Sequence, residues 1–208
     1  MTEYYIPASS GESEYVEKRS RFIGHVRPVE SEEEAKAFIA EMKKKYYDAR
    51  HNCSCYIIRG GAERYSDDGE PQGTAGIPML EVFRREGVGD LVCVVTRYFG
   101  GVLLGAGGLF RAYTKCAKDA LDAAGVSAVR RWVEAELRCS YSLAERLRQE
   151  FSQFGAIVSD TEYSADIRFS LLVPEENFPA LADRLFDASA GGSELKSVGE
   201  SFRAVRLR

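Results

Sequence analysis

Between Leu91 and Gly125 the chain passes from a Val-rich apolar run, through five glycines in the nine positions 100–108, into a helical pattern. The run Leu91 to Tyr98 is bounded by turn residues, as a strand buried on both faces is. Gly100, Gly101, Gly105, Gly107 and Gly108 permit positive φ and close backbone approach. The spacing then predicts a helix from about Leu109 to Ala123, stopped by Gly125. A chain built on this segment has to supply sheet and helix together, with a tight turn where they meet.

Upstream, Glu14 to Val29 reads as one or two strands after a loop at Ser9 to Gly11. Ser31 and Glu34 form a capping box, and Ala35, Phe38, Ile39, Met42 and Tyr46 recur at helical spacing. Asn52 to Ile58 is a strand, Arg59 to Gly73 a long polar loop, and Thr74 the cap of a helix running to about Glu86 with Pro78 in its first turn. After Gly125 the pattern restarts. Ser127 to Arg131 reads as a short linker, followed by a strand from Trp132 to Tyr141 and a helix opened by a second capping box, Ser142 with Glu145. Strands at Ala156 to Tyr163 and Ala165 to Val173, a helix through Phe178, Leu181 and Leu185 ended by Gly191 and Gly192, and a strand from Glu194 to Val205 complete a βαββαβ order, the ferredoxin-like split arrangement.

The 208 residues suffice for one large domain or two small ones. No apolar run approaches the ~20 residues of a bilayer span, and the first twenty residues carry no basic leader with an apolar core. A cytoplasmic protein without membrane contact is expected. The five cysteines, at 53, 55, 93, 116 and 139, are an odd number without metal-ligand spacing and read as buried free thiols. Residues 1–131 carry 19 Lys and Arg against 19 Asp and Glu, and residues 132–208 carry 9 against 13. That balance excludes a protein that coats nucleic acid through bulk charge, so any such site is a local patch.

Three segments hold the residues suited to chemistry. The loop after Val94 fits neither standard nucleotide pattern: Phe110 stands where a dinucleotide fingerprint has its third glycine, and no Gly-Lys-Ser/Thr follows. It does fit an anion nest at a helix start, flanked by Arg97 and Arg111. Arg111, Lys115 and Lys118 place three cations on one helix face; a tight turn beside a solvated basic face explains the same residues equally well. In the second segment, Glu63 to Gly76, one or two of Asp67, Asp68 and Glu70 can hold a hard cation such as Mg2+ near Thr74, although a turn rich in Asp, Gly and Pro needs no metal. In the third, Asp48, Arg50, His51 and Asn52 lead into Cys53. His51 and Cys53 share a strand face, as a nucleophile and base would, but nothing nearby activates the thiol, and a histidine held by local hydrogen bonds is the simpler reading.

DARHNCSCY from Asp48, ERYSDDGEPQGTAGIPML from Glu63 and VVTRYFGGVLLGAGGLFRAY from Val94 together resemble the Impact family, and the whole-chain plan is similar to its bacterial YigZ branch. The resemblance implies an α+β protein: a ribosomal protein S5 domain 2-like unit over residues 1–128, then a ferredoxin-like βαββαβ unit over 132–208. It also implies a fold analogy to the last two domains of elongation factor G. Eukaryotic Impact carries an added amino-terminal module that docks on a regulator of a stress kinase. No part of this sequence matches that module, so the partner does not transfer. Many relatives have a Lys where this chain has Leu103.

The leading expectation is a non-catalytic, translation- or stress-associated protein that binds RNA, the ribosome or a regulatory protein, with no cofactor and no assigned metal. Arg97, Gly100, Gly101, Gly105, Gly107, Gly108, Arg111, Lys115 and Lys118 form its anion- or RNA-binding face, and Asp48, Arg50, His51, Asn52, Asp67, Asp68, Glu70 and Thr74 line an adjoining groove. Tyr65, Tyr98 and Tyr113 stack on unpaired bases if exposed. The competing class is a Mg-dependent enzyme acting on a phosphorylated metabolite or nucleotide. Convergence of the acidic and glycine loops in one cleft favours the enzyme; separate surfaces favour the binding module.

Overall fold

The computed structural model describes residues 3–207. They form two compact units, Tyr4–Ala128 with residues 204–207, and Val129–Arg203 with Glu3. The first contains β1 (Tyr4–Pro7), β2 (Gly11–Glu17), β3 (Ser20–Pro28), α1 (Glu32–Lys45), β4 (His51–Ile57), β5 (Glu63–Ser66), α2 (Gly76–Glu86), β6 (Leu91–Tyr98) and α3 (Ala106–Ala124). Its sheet runs in the order β2-β3-β6-β4-β5, antiparallel throughout.

β6 is apolar at consecutive positions because it is covered twice. Leu91, Cys93 and Val95 join Met79 and Phe83 of α2 and Tyr113, Cys116 and Leu121 of α3 in one core, whereas Val92 and Val94 join Phe38 and Met42 of α1 in another. α1 opens as its capping residues dictate: Ser31 Oγ accepts from the Glu34 amide at 3.2 Å, and Glu34 Oε2 accepts from the Glu30 amide at 2.8 Å. The β2–β3 turn places Lys18 and Arg19 at positive φ, 45° and 66°, positions at which hairpins favour Asn and Gly. β5 lies inside the stretch expected to be loop. All four of its residues are exposed, so it carries no apolar alternation by which to recognise it.

The second unit is built from β7 (Val126–Cys139), α4 (Tyr141–Gln153), β8 (Ile157–Tyr163), β9 (Ile167–Pro174), α5 (Phe178–Ala188) and β10 (Lys196–Arg206). β9 lies between β7 and β8, and β10 also pairs with β7, so the ferredoxin-like arrangement is present. Alternate residues Ala135, Leu137 and Cys139 of β7 and Phe169, Leu171 and Val173 of β9 pack on Leu147 and Phe151 of α4 and Leu181 and Leu185 of α5. Two local expectations differ from what forms. Residues 127–131 are strand, not linker, because β7 is continuous over 14 residues. The second capping box does not form either: α4 starts one residue after Ser140, whose Oγ lies 3.0 Å from Ser142 Oγ and caps no amide.

β2 packs directly on α3 through Gly11. A Cβ there would lie 2.3 Å from the Ala120 carbonyl oxygen and 2.4 Å from the Ala124 amide nitrogen, both rigid helix backbone. Gly11→Ala is therefore expected to lower stability by about 1–3 kcal/mol, read as a lower urea midpoint at unchanged m-value.

Candidate functional site

His51 and Arg97 face each other across the β4–β6 ladder, on the side of the sheet that α2 and α3 cover. The acidic loop crosses over them and the glycine loop follows β6, so all three segments meet in one cleft of about 370 Å3. Arg50, His51, Glu70, Arg97, Phe99 and Leu104 are among its lining residues, with Gly105 and Ala106 at the start of α3.

Glu70 is the centre of its floor. Its Oε1 accepts from Arg97 Nη1 at 2.7 Å and from the Tyr113 hydroxyl at 2.8 Å. The Glu70 and Arg97 side chains are only 3% and 6% exposed, so this is a buried ion pair. Arg97 Nη2 also donates to Ser20 Oγ at 3.3 Å, while its Nε is buried without a hydrogen-bond partner among the described residues. His51 Nδ1 donates to the Asp68 carbonyl at 2.8 Å, which turns Nε2 towards Glu70 Oε2, 3.9 Å away. Cys53 Sγ lies 2.9 Å from the Asp67 carbonyl oxygen and 3.3 Å from the Tyr113 hydroxyl. Burial pushes the Cys53 thiol far up and raises the Tyr113 phenol as well, so neither is an activated nucleophile.

The three carboxylates of the acidic loop do not converge on a cation. Asp67 Oδ1 accepts from the Ala75 and Gly76 amides at 3.1 and 2.8 Å, and its Oδ2 accepts from the Gly73 amide at 2.8 Å. It therefore caps α2 from a distance, the task expected of Thr74, whose hydroxyl instead donates to the Pro71 carbonyl at 2.6 Å. Asp68 accepts from Lys43 Nζ at 2.6 Å and from the Asn52 amide at 2.7 Å. With Glu70 held by Arg97 and Tyr113, no group of three or more metal-ligating side chains exists among the described residues.

Several other expected site residues are also committed elsewhere. Asn52 turns to the α1 side, where Oδ1 accepts from Thr96 Oγ1 at 2.7 Å, and Asp48 accepts from the Tyr98 hydroxyl at 2.8 Å. Tyr113 is fully buried and unable to stack on a base, while Tyr65 is exposed. Lys115 pairs with Asp119, and Lys118 with Asp122 and Glu86. Gly100 packs on the β2–β3 turn. Gly105 caps α3 at φ 73° with no side-chain hydrogen bond, leaving the first amides of the helix, including those of Gly107 and Gly108, without a side-chain cap. Of the expected site cations, Arg50 and Arg111 form no ion pair among the described residues: the Arg50 guanidinium carbon lies 5.7 Å from the Phe99 ring centre, and Arg111 Nη1 would lie 3.5 Å from a Cβ at Gly107.

Glu70→Gln leaves the Arg97 charge buried and uncompensated, and is expected to cost about 3 kcal/mol or more of unfolding free energy. Asp68→Asn, in a part-exposed pair, is expected to cost about 1 kcal/mol or less; urea titrations compare the two. Burial also raises the Cys93 thiol well above its usual range and pushes the Cys116 thiol up to about 11. With Cys53, these thiols are expected to resist alkylation in the native protein at pH 8 and to react fully once it is unfolded.

Residues 18–121, which contain the whole cleft, match the family model of the Impact N-terminal domain, and residues 137–191 match that of a domain of unknown function (DUF1949). The IMPACT family member YvyE of Bacillus subtilis is 37% identical over 94% of this chain and 91% of its own. The corresponding protein YigZ of Escherichia coli is 32% identical over 96% and 100%. Protein IMPACT of Mus musculus is 33% identical over 50% of this chain and 34% of its own. A crystal structure of a hypothetical protein, 32% identical, superposes with a TM-score of 0.60 and covers 96% of this chain and 98% of that one. By these matches across both units, the chain belongs to the Impact family.

Proposed function

We propose that the chain is a non-catalytic, translation- or stress-associated binding protein whose first unit takes RNA through its phosphates at this cleft. The observation that carries the reading is the side-chain-uncapped start of α3, which opens on a cleft lined by the Arg50 guanidinium, with Arg111 one turn further along the helix. Helix-start amides and unpaired guanidinium groups are the donors that phosphate oxygens select. Family membership supports the link to translation, as the resemblance to eukaryotic Impact implies. The acidic second unit serves as a separate docking surface for a protein partner.

One observation favours the enzyme: the acidic and glycine loops share a cleft. Mg2+ chemistry there needs carboxylates free to bind the ion, and Asp67, Asp68 and Glu70 each hold the fold together instead. Binding without turnover is the better reading of those commitments.

Charge-assisted hydrogen bonds contribute about 1.5–3 kcal/mol each, so Arg50→Ala with Arg111→Ala is expected to weaken RNA retention in filter binding about tenfold or more. Lys118→Ala, whose charge is already neutralised, is expected to change little, and chelation of Mg2+ to change nothing. Mg-dependent turnover of a nucleotide or sugar phosphate, abolished by Asp68→Asn, would overturn the proposal.

A further inference from the structure

Two cations that lie far from the glycine loop in sequence share its surroundings in the fold. Lys18 and Arg19, at the β2–β3 turn, are exposed and form no ion pair among the described residues. Their turn is seated on the loop: a Cβ at Gly100 would fall 2.1 Å from the Arg19 carbonyl carbon, and the Gly100 amide donates to Ser20 Oγ at 3.2 Å. With Arg50 and Arg111, this makes four unneutralised cations contributed by three separate parts of the first unit around one loop. No carboxylate among the described residues forms an ion pair with any of the four; Glu17 accepts from the Tyr15 hydroxyl and Glu70 is held by Arg97.

Phosphate recognition alone does not account for the apolar side chains exposed among these charges. Phe99 is 38% and Leu103 82% exposed, and both line the cleft with Leu104. A polyanion that also presents a flat apolar surface matches the combination, and that is the chemistry of an unpaired nucleobase in a single strand. In a duplex the bases are stacked and paired, so only the backbone could reach this surface.

We infer, resting on the RNA-binding reading above, that the cleft receives one unpaired nucleotide of single-stranded RNA. Its base lies on the wall of Phe99, Leu103 and Leu104, its phosphate meets the first turn of α3 and Arg50, and Lys18, Arg19 and Arg111 take the flanking phosphates.

The test is fluorescence anisotropy with a short unstructured RNA and the same sequence as a duplex, over a range of salt concentrations. The single strand is expected to bind at least about tenfold more tightly than the duplex. Lys18→Gln with Arg19→Gln is expected to weaken single-strand binding about tenfold and to reduce the salt slope by about 1.4, as the loss of two phosphate contacts on a single strand does. Phe99→Leu, which keeps an apolar side chain but removes the aromatic face, is expected to weaken it about fivefold at unchanged salt slope. Thermal midpoints establish that the variants are folded. Equal binding of duplex and single strand, or single-strand binding indifferent to both variants, would overturn this inference while leaving RNA binding intact; no binding of either RNA would overturn the RNA-binding reading itself.

Discussion

The cleft depends on one buried ion pair. Glu70 and Arg97 are both almost wholly removed from water, a state that is costly for each charge unless the other is in place and well hydrogen-bonded. Meeting that condition ties the acidic loop to the sheet, since Glu70 belongs to the first and Arg97 to the second. The Tyr113 hydroxyl brings α3 to the same carboxylate oxygen, and Ser20 links the guanidinium to the start of β3 and the Gly100 amide. Asp67 completes the arrangement by fixing the loop to the first turn of α2. The residues richest in apparent chemistry therefore act mainly as fasteners, and the cations left over are the exposed ones.

That division explains what could be read in the sequence. The strand–glycine–helix segment announced itself because β6 is covered on both faces and α3 needs an apolar stripe, both of which leave periodic patterns. The capping box at Ser31 forms as its spacing implies, and the βαββαβ order of the second unit follows from alternating strand and helix periods. The meeting of three distant segments was legible only through their resemblance to a family, since no local pattern brings residue 51 opposite residue 97. Which charges are free was not legible at all. Arg97, Lys115 and Lys118 look available in a list of cations, and only tertiary placement reveals the carboxylate beside each. Lys18 and Arg19 show the converse, because their proximity to Gly100 is a contact across some 80 residues of chain and leaves no local mark. Neither β5, exposed at every residue, nor the start of β7, buried at each of Val126, Ser127, Ala128 and Val129, carries the period of two that marks a half-buried strand.

The match to the Impact N-terminal domain covers the cleft, for residues 18–121 hold every lining side chain. The second unit carries its own core and its own pair at the core's margin, with the buried Glu150 of α4 clasped bidentately by the half-exposed Arg184 of α5 at 2.9 Å from both Nε and Nη2. In each unit a carboxylate enters the interior only with a guanidinium to meet it.

The path of the chain adds a constraint of timing. Residues 204–207 belong to the first unit, where the Leu207 amide donates to the Val126 carbonyl at 2.8 Å. A ribosome releases the first 128 residues long before these four, and the whole second unit emerges in between. The Val126 carbonyl at the start of β7 therefore gains its Leu207 partner only after the second unit has been synthesised. Completion of the first unit thus reports that the second has already been made.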